Sequence, residues 1–563
     1  MRGSGAAGLI GLVLASISVR LSPLWSFVYW GSDTGEYFVI ARTLIRTGHV
    51  STTYYGWGVT YPYFPGMFFL QGGLVQVGGL DLPTVLTLLV PSLGAMAVIP
   101  LFFLAIRVSG DVRVALFAAA VLAGAIPHVY TTAHAAPATL GDLLALGGLL
   151  LFLRLREDAR AAVPLLLVAG ALIATHHLSL YFFALMVLGT ILIRGLVRPW
   201  RWTRGSKREV AFAVTLLTGT FAYWFGYATA FRDYILPDVA IRPWWALPLL
   251  FAAGLGFLIG VVHARARGGW RYRPRYPDLR FRGAAYGAAI GTILMFGVIS
   301  VFVGVPGTTF RVPAAGLLYF VPLILLISFS AVGRKFLDFL TRGLDPTGWL
   351  AVLLGSAGAG IAFAPRVLIP YRHMEYLLVP FAILAGAGFF HFLDLAGLRG
   401  PARTAAIAAV ALVLVGNALA GFPPASTLAG WREGTLPAAL DAAYWGRDDA
   451  SGLVVTDHQG STTLFGFGGL NATWDRARAA FSNPNWNPQD FTGIDSPSGK
   501  KDGTFVWIDR DMEAGVRLTP WETAAPMSPG VIAKFDEAPF VKVFDNGYGR
   551  YYWIGWGCSP ATC

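Results

Sequence analysis

Apolar runs of membrane-spanning length recur from Ala6 to Gly421, and they leave this chain little freedom of fold. A stretch of about 20 residues with few charges crosses a bilayer as a helix, because only a helix satisfies its own backbone groups there. About 13 spans are expected, at 6–28, 83–106, 114–130, 137–153, 161–176, 178–196, 210–230, 243–262, 283–305, 313–332, 347–364, 374–393 and 404–421. Only 13% of the residues are charged, where a soluble protein carries about 25%. The expected fold class is a polytopic α-helical membrane protein with a small extracytoplasmic α/β domain at its C-terminus.

The net charge of +12 invites a polyanion partner, but its distribution does not. The basic runs Arg194 to Arg208 and Arg265 to Arg282 fall on one set of alternating loops, together with Arg2. The opposite loops hold only Arg42, Arg46, Arg232, Arg242, Arg311, Arg366 and Arg372. That is the positive-inside pattern, so the charge reports topology and excludes a nucleic-acid partner. It places the N-terminus in the cytoplasm of a multi-pass cell-membrane protein. No small-residue cleavage site precedes Leu24-Trp25-Ser26-Phe27, so the first helix reads as retained. An odd number of spans then puts the C-terminal region outside.

Two domains follow. Residues 1–422 form the transmembrane domain, whose first outer loop, 30–82, is too long for a simple connection. Apolar residues at Tyr37, Phe38, Ala41, Leu44 and Ile45, with Arg42 and Arg46 opposite, predict an amphipathic helix lying in the interface. A second is expected from Pro65 to Gln76. Residues 423–563 form the soluble domain. Its β-type runs are 452–456, 504–508, 541–544 and 550–554, separated by Asn, Gly, Pro and Asp clusters. Asn471-Ala472-Thr473 is a lone N-glycosylation sequon. The two cysteines, Cys558 and Cys563, either close a small disulfide loop or remain free thiols, and neither has metal-ligand spacing around it.

The candidate chemistry begins at Gly31-Ser32-Asp33-Thr34-Gly35-Glu36, where two carboxylates stand just outside a membrane helix. Such groups are costly unless solvated, paired or at work. Asp33 and Glu36, spaced i and i+3, share a helix face, and the same spacing is that of a helix cap. Asp142, at the outer end of the fourth span, is a third acidic candidate; the alternative is a polar helix end. Of nine histidines, His49, His128, His134, His176, His177 and His373 gather at outer span ends, which suggests a cavity opening there. Arg372 and His373 have the donors to hold a phosphate, or else Arg372 pairs with Glu375 to anchor the helix. Arg311 is a further phosphate candidate. Arg20 interrupts the first span near its outer end, with snorkelling as the simple alternative.

At these residues the chain resembles the GT-C superfamily of membrane glycosyltransferases, which use sugars carried on polyprenyl or dolichyl phosphate. The resemblance rests on Arg20, on the acidic motif Asp33 and Glu36, on the helix pattern Tyr37, Ala41, Arg42, Leu44 and Gly48, and on the aromatic-proline segment Tyr61, Pro62, Pro65 and Gly66. The layout of about 13 spans and an outer C-terminal domain is similar to the STT3/AglB type of oligosaccharyltransferase, as is Arg372 before a late span. The resemblance implies Asp33, Glu36 and Asp142 as catalytic residues. It implies Arg372, His373, Arg311 and Arg20 as ligands of the donor phosphate, and His134, His176, His177, Tyr61 and Tyr63 as donor or acceptor contacts. The chain departs from the oligosaccharyltransferases in having Asp-x-x-Glu rather than Asp-x-Asp. The loop Gly304 to Pro313 is short and carries no acidic residue, and the Trp-Trp-Asp-Tyr-Gly motif is absent.

The expected function is transfer of a sugar or glycan, with inversion, from a polyprenyl-phosphate donor to an acceptor at the extracytoplasmic face. The acceptor is a protein, lipid or glycan, and an acidic residue of the first outer loop is the base. No metal or other cofactor is implied; an oligosaccharyltransferase-like enzyme acting on protein would instead take Mg²⁺ or Mn²⁺. A non-catalytic scaffold subunit and a transporter of lipid-linked substrate are the alternatives from other classes. No inverted repeat of a transporter is visible.

Overall fold

The computed structural model describes residues 3–54, 56–197, 202–235, 237, 291, 294–306, 308, 311–314, 316–317, 321–336, 344–363, 368–424, 430–473, 477–492, 494, 503–518 and 524–556. Among them, seven helices are long and apolar enough to cross a membrane: Gly5–Trp25, Leu82–Ser109, Pro137–Leu155, His177–Gly195, Arg204–Tyr227, Pro370–Leu395 and Gly400–Leu419. An eighth arises if Val112–Gly124 and Ile126–Thr132, bent by 58° between them, count as one span. Pro127 at the start of the second piece forces the break, since it removes a backbone donor. The expected span 161–176 is a shorter apolar helix, Ala159–Thr175. The expected span 347–364 is helical over Leu344–Phe363. The span 243–262 and the basic loop 265–282 lie outside the described residues, as do Cys558 and Cys563.

Six helices position the site: α1 (Gly3–Leu21), α2 (Thr34–Thr47), α3 (Gly66–Gln76), α4 (Pro137–Leu155), α5 (His373–Leu395) and α6 (His458–Thr463). The membrane core is one apolar cluster in which Leu146 and Leu149 of α4 and Phe381 and Leu384 of α5 are buried. Helix α2 buries Tyr37, Ile40, Ala41 and Leu44, the stripe that its 3.6-residue period dictates, against α3 and its neighbours. Gly48 ends it in the left-handed conformation at φ 75°.

The soluble domain is a five-stranded sheet built from β3 (Leu453–Val455), β4 (Asn471–Thr473), β5 (Gly503–Asp509), β6 (Phe540–Asp545) and β7 (Gly549–Ile554). Its order is β4-β3-β5-β7-β6, with β3 parallel to β4 and β5 and the remaining pairs antiparallel. Central strands β3 and β5 are buried on both faces, as their unbroken apolar runs require. The sequon is strand β4, with Thr473 buried.

The two domains are joined by more than the chain. Tyr29–Trp30 (β1) pairs antiparallel with Gly434–Thr435 (β2), so the sheet domain begins as a strand on the segment that leads into α2. Glu433 follows the same path: its carboxylate accepts from the Ser32 amide at 2.6 Å, from Trp431 Nε1 at 2.6 Å and from the Tyr130 hydroxyl. The α2 helix passes so close to residues 462–466 that a Cβ on Gly35 would stand 2.0 Å from the Thr462 carbonyl oxygen.

Candidate functional site

Asp33 stands at the N-cap position of α2, yet its side chain makes no capping hydrogen bond. The capping alternative fails because stronger donors have taken the carboxylate. Trp57 Nε1 donates to Oδ1 at 3.1 Å and the Tyr61 hydroxyl to Oδ2 at 2.8 Å. His458, from the soluble domain, places Nε2 at 3.4 Å from Oδ1. The Asp33 side chain remains 20% exposed while His458 is 1% exposed. Burial alone would raise this carboxyl. The hydrogen bond and charge of His458, then the Tyr61 and Trp57 bonds, outweigh burial and hold it below the usual carboxylate range.

Glu36, one turn on, is the opposite case. Its carboxylate accepts from the Tyr54 hydroxyl and, at 3.4 Å, from the Trp57 amide. Burial pushes it up to about 8; the Tyr54 bond opposes this and the Asp33 charge adds to it. Two carboxyls three residues apart are thus driven to opposite protonation states at neutral pH: Asp33 ionised, Glu36 protonated. Gly56 permits the approach, since a Cβ there would sit 2.0 Å from Glu36 Oε2.

A second polar cluster is buried between the membrane helices. Asp142 on α4 accepts from Ser179 Oγ at 2.9 Å and from the Tyr376 hydroxyl, with His128 Nε2 at 3.9 Å. Glu375 on α5 stands beside it. Arg20 is 1% exposed and donates to Thr132 Oγ1 at 2.8 Å and Ser16 Oγ at 2.6 Å, with His128 Nδ1 at 2.6 Å. Snorkelling is therefore excluded for Arg20: its guanidinium points into the protein, where it balances Asp142 and Glu375. His176 reaches Asp142 through Ser179, its Nδ1 lying 2.7 Å from Oγ.

Arg372 lies between the two clusters. Its NH1 donates to Thr131 Oγ1 at 3.2 Å, and its charge acts on Tyr37 beside Asp33 and on Glu375 beside Asp142. The turn that delivers it holds Ile369 at φ 43°, a left-handed conformation that a β-branched residue adopts only under constraint. Arg372 and Glu375 act on each other through their charges, and Glu375 also faces Asp142.

The other candidates scatter. His134 packs against Gly31, and burial lowers its pKa, with Glu433, Arg372 and Asp33 acting on it. His177 lies in an aromatic group with Phe64 and Phe231, at ring distances of 5.2 and 4.6 Å. Tyr63 belongs to the same side: its carbonyl accepts from Tyr223 and its hydroxyl from Thr229, away from Asp33. His373 bonds Ser356 at 2.8 Å rather than facing either carboxylate cluster. Arg311 is exposed, and no described contact joins it to the rest.

Three residues of the Asp33 centre escaped the sequence reading: Trp57, Tyr54 and His458. The last had one signal. It follows the carboxyl end of β3, a parallel strand, which is where open α/β sheets display functional groups.

Neither a family model nor a curated protein sequence matches the chain. Solved structures do. The oligosaccharyltransferase of Archaeoglobus fulgidus, solved with Zn and sulfate, superposes with a TM-score of 0.52 over 90% of this chain and 68% of its own, at 15% identity. The fold is GT-C. ArnT from Cupriavidus metallidurans matches more loosely. Its apo structure gives a TM-score of 0.41 at 14% identity, and its complex with undecaprenyl phosphate gives 0.36 at 13%; both matches cover 98% of either chain. Together with the apolar helices, this fold places the chain in a membrane.

Among the described residues, no three His, Cys, Asp or Glu are grouped to hold a divalent cation. Asp33 and Glu36 face hydroxyl, indole and imidazole donors, and Asp142 and Glu375 face two arginines, which supply the positive charge a cation would bring.

Proposed function

We propose that the chain is a GT-C glycosyltransferase that moves a sugar from a polyprenyl-phosphate donor to an acceptor at the extracytoplasmic face. The observation that carries this reading is the Asp33 carboxylate, partnered by His458, Tyr61 and Trp57 on a side chain that is not fully buried. Asp33 takes the proton of the acceptor hydroxyl as the acceptor oxygen attacks C1 of the sugar. The bond from C1 to the phosphate oxygen breaks, and the lipid phosphate leaves with the electron pair. A single displacement of this kind inverts the anomeric centre. Glu36, protonated, holds Tyr54 and Trp57 in place. Arg372, whose charge acts on Tyr37 and on Glu375, meets the charge that develops on the phosphate. A positioned base contributes about 10²–10⁴-fold, and holding both substrates in one cleft contributes through orientation.

The test is transfer from radiolabelled polyprenyl-phosphate sugars to membrane-extract acceptors by purified protein, wild type against Asp33→Asn, with and without EDTA. Turnover that needs Asp33 and survives EDTA supports the reading. Turnover lost to EDTA and restored by Mg²⁺ or Mn²⁺ returns the chain to metal-dependent chemistry. Turnover that ignores Asp33 removes the base.

A further inference from the structure

Docking of the soluble domain onto the first outer loop is already served by three features that leave Asp33 untouched. They are the β1–β2 pair, the Glu433 carboxylate on the Ser32 amide, and the close approach of Gly35 to Thr462. His458 does something else. Its ring is stacked on Trp431 at 5.2 Å and meets the edge of Trp57 at 4.9 Å. Arg517 lies over the Trp431 ring at 4.3 Å and accepts the His458 amide on its carbonyl at 2.9 Å. The start of α6 is fixed in turn: Asp457 caps the Gly460 amide at 2.8 Å, and Arg432 bridges Asp457 to Asp509. The same short helix grips the loop from the other side, where Thr462 Oγ1 donates to the Ser32 carbonyl at 2.7 Å. An imidazole so restrained has one direction to point, and it points at Oδ1 of Asp33. By contrast, Trp57 and Tyr61 reach Asp33 from the segment that holds Gly56 and Gly58.

We propose that His458 is a positioning residue for the Asp33 carboxylate, so that the soluble domain supplies part of the reaction centre and does not merely cover it. The proposal rests on the functional reading above. Supporting shells of this kind fix a reacting group within a fraction of an ångström, and a misplacement of about 1 Å costs roughly 10²-fold in rate. The titratable and charged groups that act around Asp33 are Glu36 and Tyr37 on its own helix, Tyr54 and Tyr61 from the loop, His134 and Arg372 from the membrane domain, and His458 itself. Of these, His458 is the strongest influence favouring the ionised carboxyl.

The experiment uses the full chain with His458→Asn, His458→Gln and His458→Ala, assayed with polyprenyl-phosphate-linked mannose, glucose and N-acetylglucosamine. The expected result is a fall of roughly 10²-fold in kcat with KM for the donor little changed. The acid limb of the rate profile moves to higher pH, and added imidazole partly restores His458→Ala. Wild-type kcat and an unmoved acid limb in all three variants overturn the proposal. So does a fall with no shift of the limb and no imidazole rescue, which marks a purely structural residue, and so does aggregation of all three on size exclusion. An arm without turnover separates this claim from the functional reading: infrared titration of the Asp33 carboxyl, identified by difference against Asp33→Asn. Its transition rises in pH in His458→Asn if His458 holds the carboxylate, and an identical transition sinks the proposal whatever the enzyme turns over.

Discussion

The backbones of Gly35 and Gly466 cross so closely that a Cβ on Gly466 would stand 2.3 Å from the Cα of Gly35. No side chain fits at either place, because the obstacle is backbone and cannot swing away. The pair is the joint at which the soluble domain seats itself beside Asp33. Gly35→Ala is expected to destabilise that seating by about 1–3 kcal/mol or more while leaving each domain folded. Limited proteolysis between the last membrane helix and β2 reads the effect, and unchanged cleavage rates would count against the joint.

Glu36 gives a pH signature of known sign. Its folded pKa of about 8 lies above the ordinary 4.5, so between those values the folded chain holds a proton that the unfolded chain has released. Its contribution to stability is complete below pH 4.5 and is lost as pH rises through 8. Glu36→Gln has no proton to lose. The variant is expected to melt close to the wild type near pH 5 and above it by pH 8.5, by about 4 kcal/mol in stability. Parallel melting curves across the range would remove the buried neutral acid.

Arg372 separates a phosphate ligand from a helix anchor. Arg372→Ala is expected to lower single-turnover transfer by about 10²–10³-fold, with Arg372→Lys recovering only part of it because an ammonium cannot offer the forked donors. A lysine variant at full rate would show that charge alone suffices. An alanine variant at full rate would take Arg372 out of the mechanism.

Arg432 is buried against Asp457 and Asp509, and burial raises the Asp509 carboxyl to about 6 despite the guanidinium beside it. Removing the cation leaves two buried carboxyls without it. Arg432→Ala is expected to cost the soluble domain about 3–5 kcal/mol, read as an earlier thermal transition. The loss should shrink at pH 5, where Asp509 takes a proton more readily.

The membrane helices were legible because each carries its evidence within its own 20 residues. Helix α2 was legible for the same reason: Tyr37, Ala41 and Leu44 fall on one stripe and are buried as the period demands. What stayed hidden depends on contacts far apart in sequence. Strand β4, Asn471–Thr473, has no β-branched run and becomes a strand only by pairing with β3. Glu375 read as a helix anchor until α4 brought Asp142 beside it. Arg20 read as a snorkelling side chain until His128 and Thr132 closed over it. The partner of Asp33 lies 425 positions away, a separation over which no local pattern carries information.

That separation also sets a clock. Asp33 leaves the ribosome long before His458, and at about 5–20 residues per second the delay is roughly 20–80 s. During that interval Asp33 has its neighbours Trp57 and Tyr61 but not the histidine, and β1 has no strand to pair with. A nascent chain therefore passes through membrane insertion with Asp33 still lacking its histidine. Only a chain synthesised to the end, with β2 laid against Tyr29 and Trp30, has a finished centre.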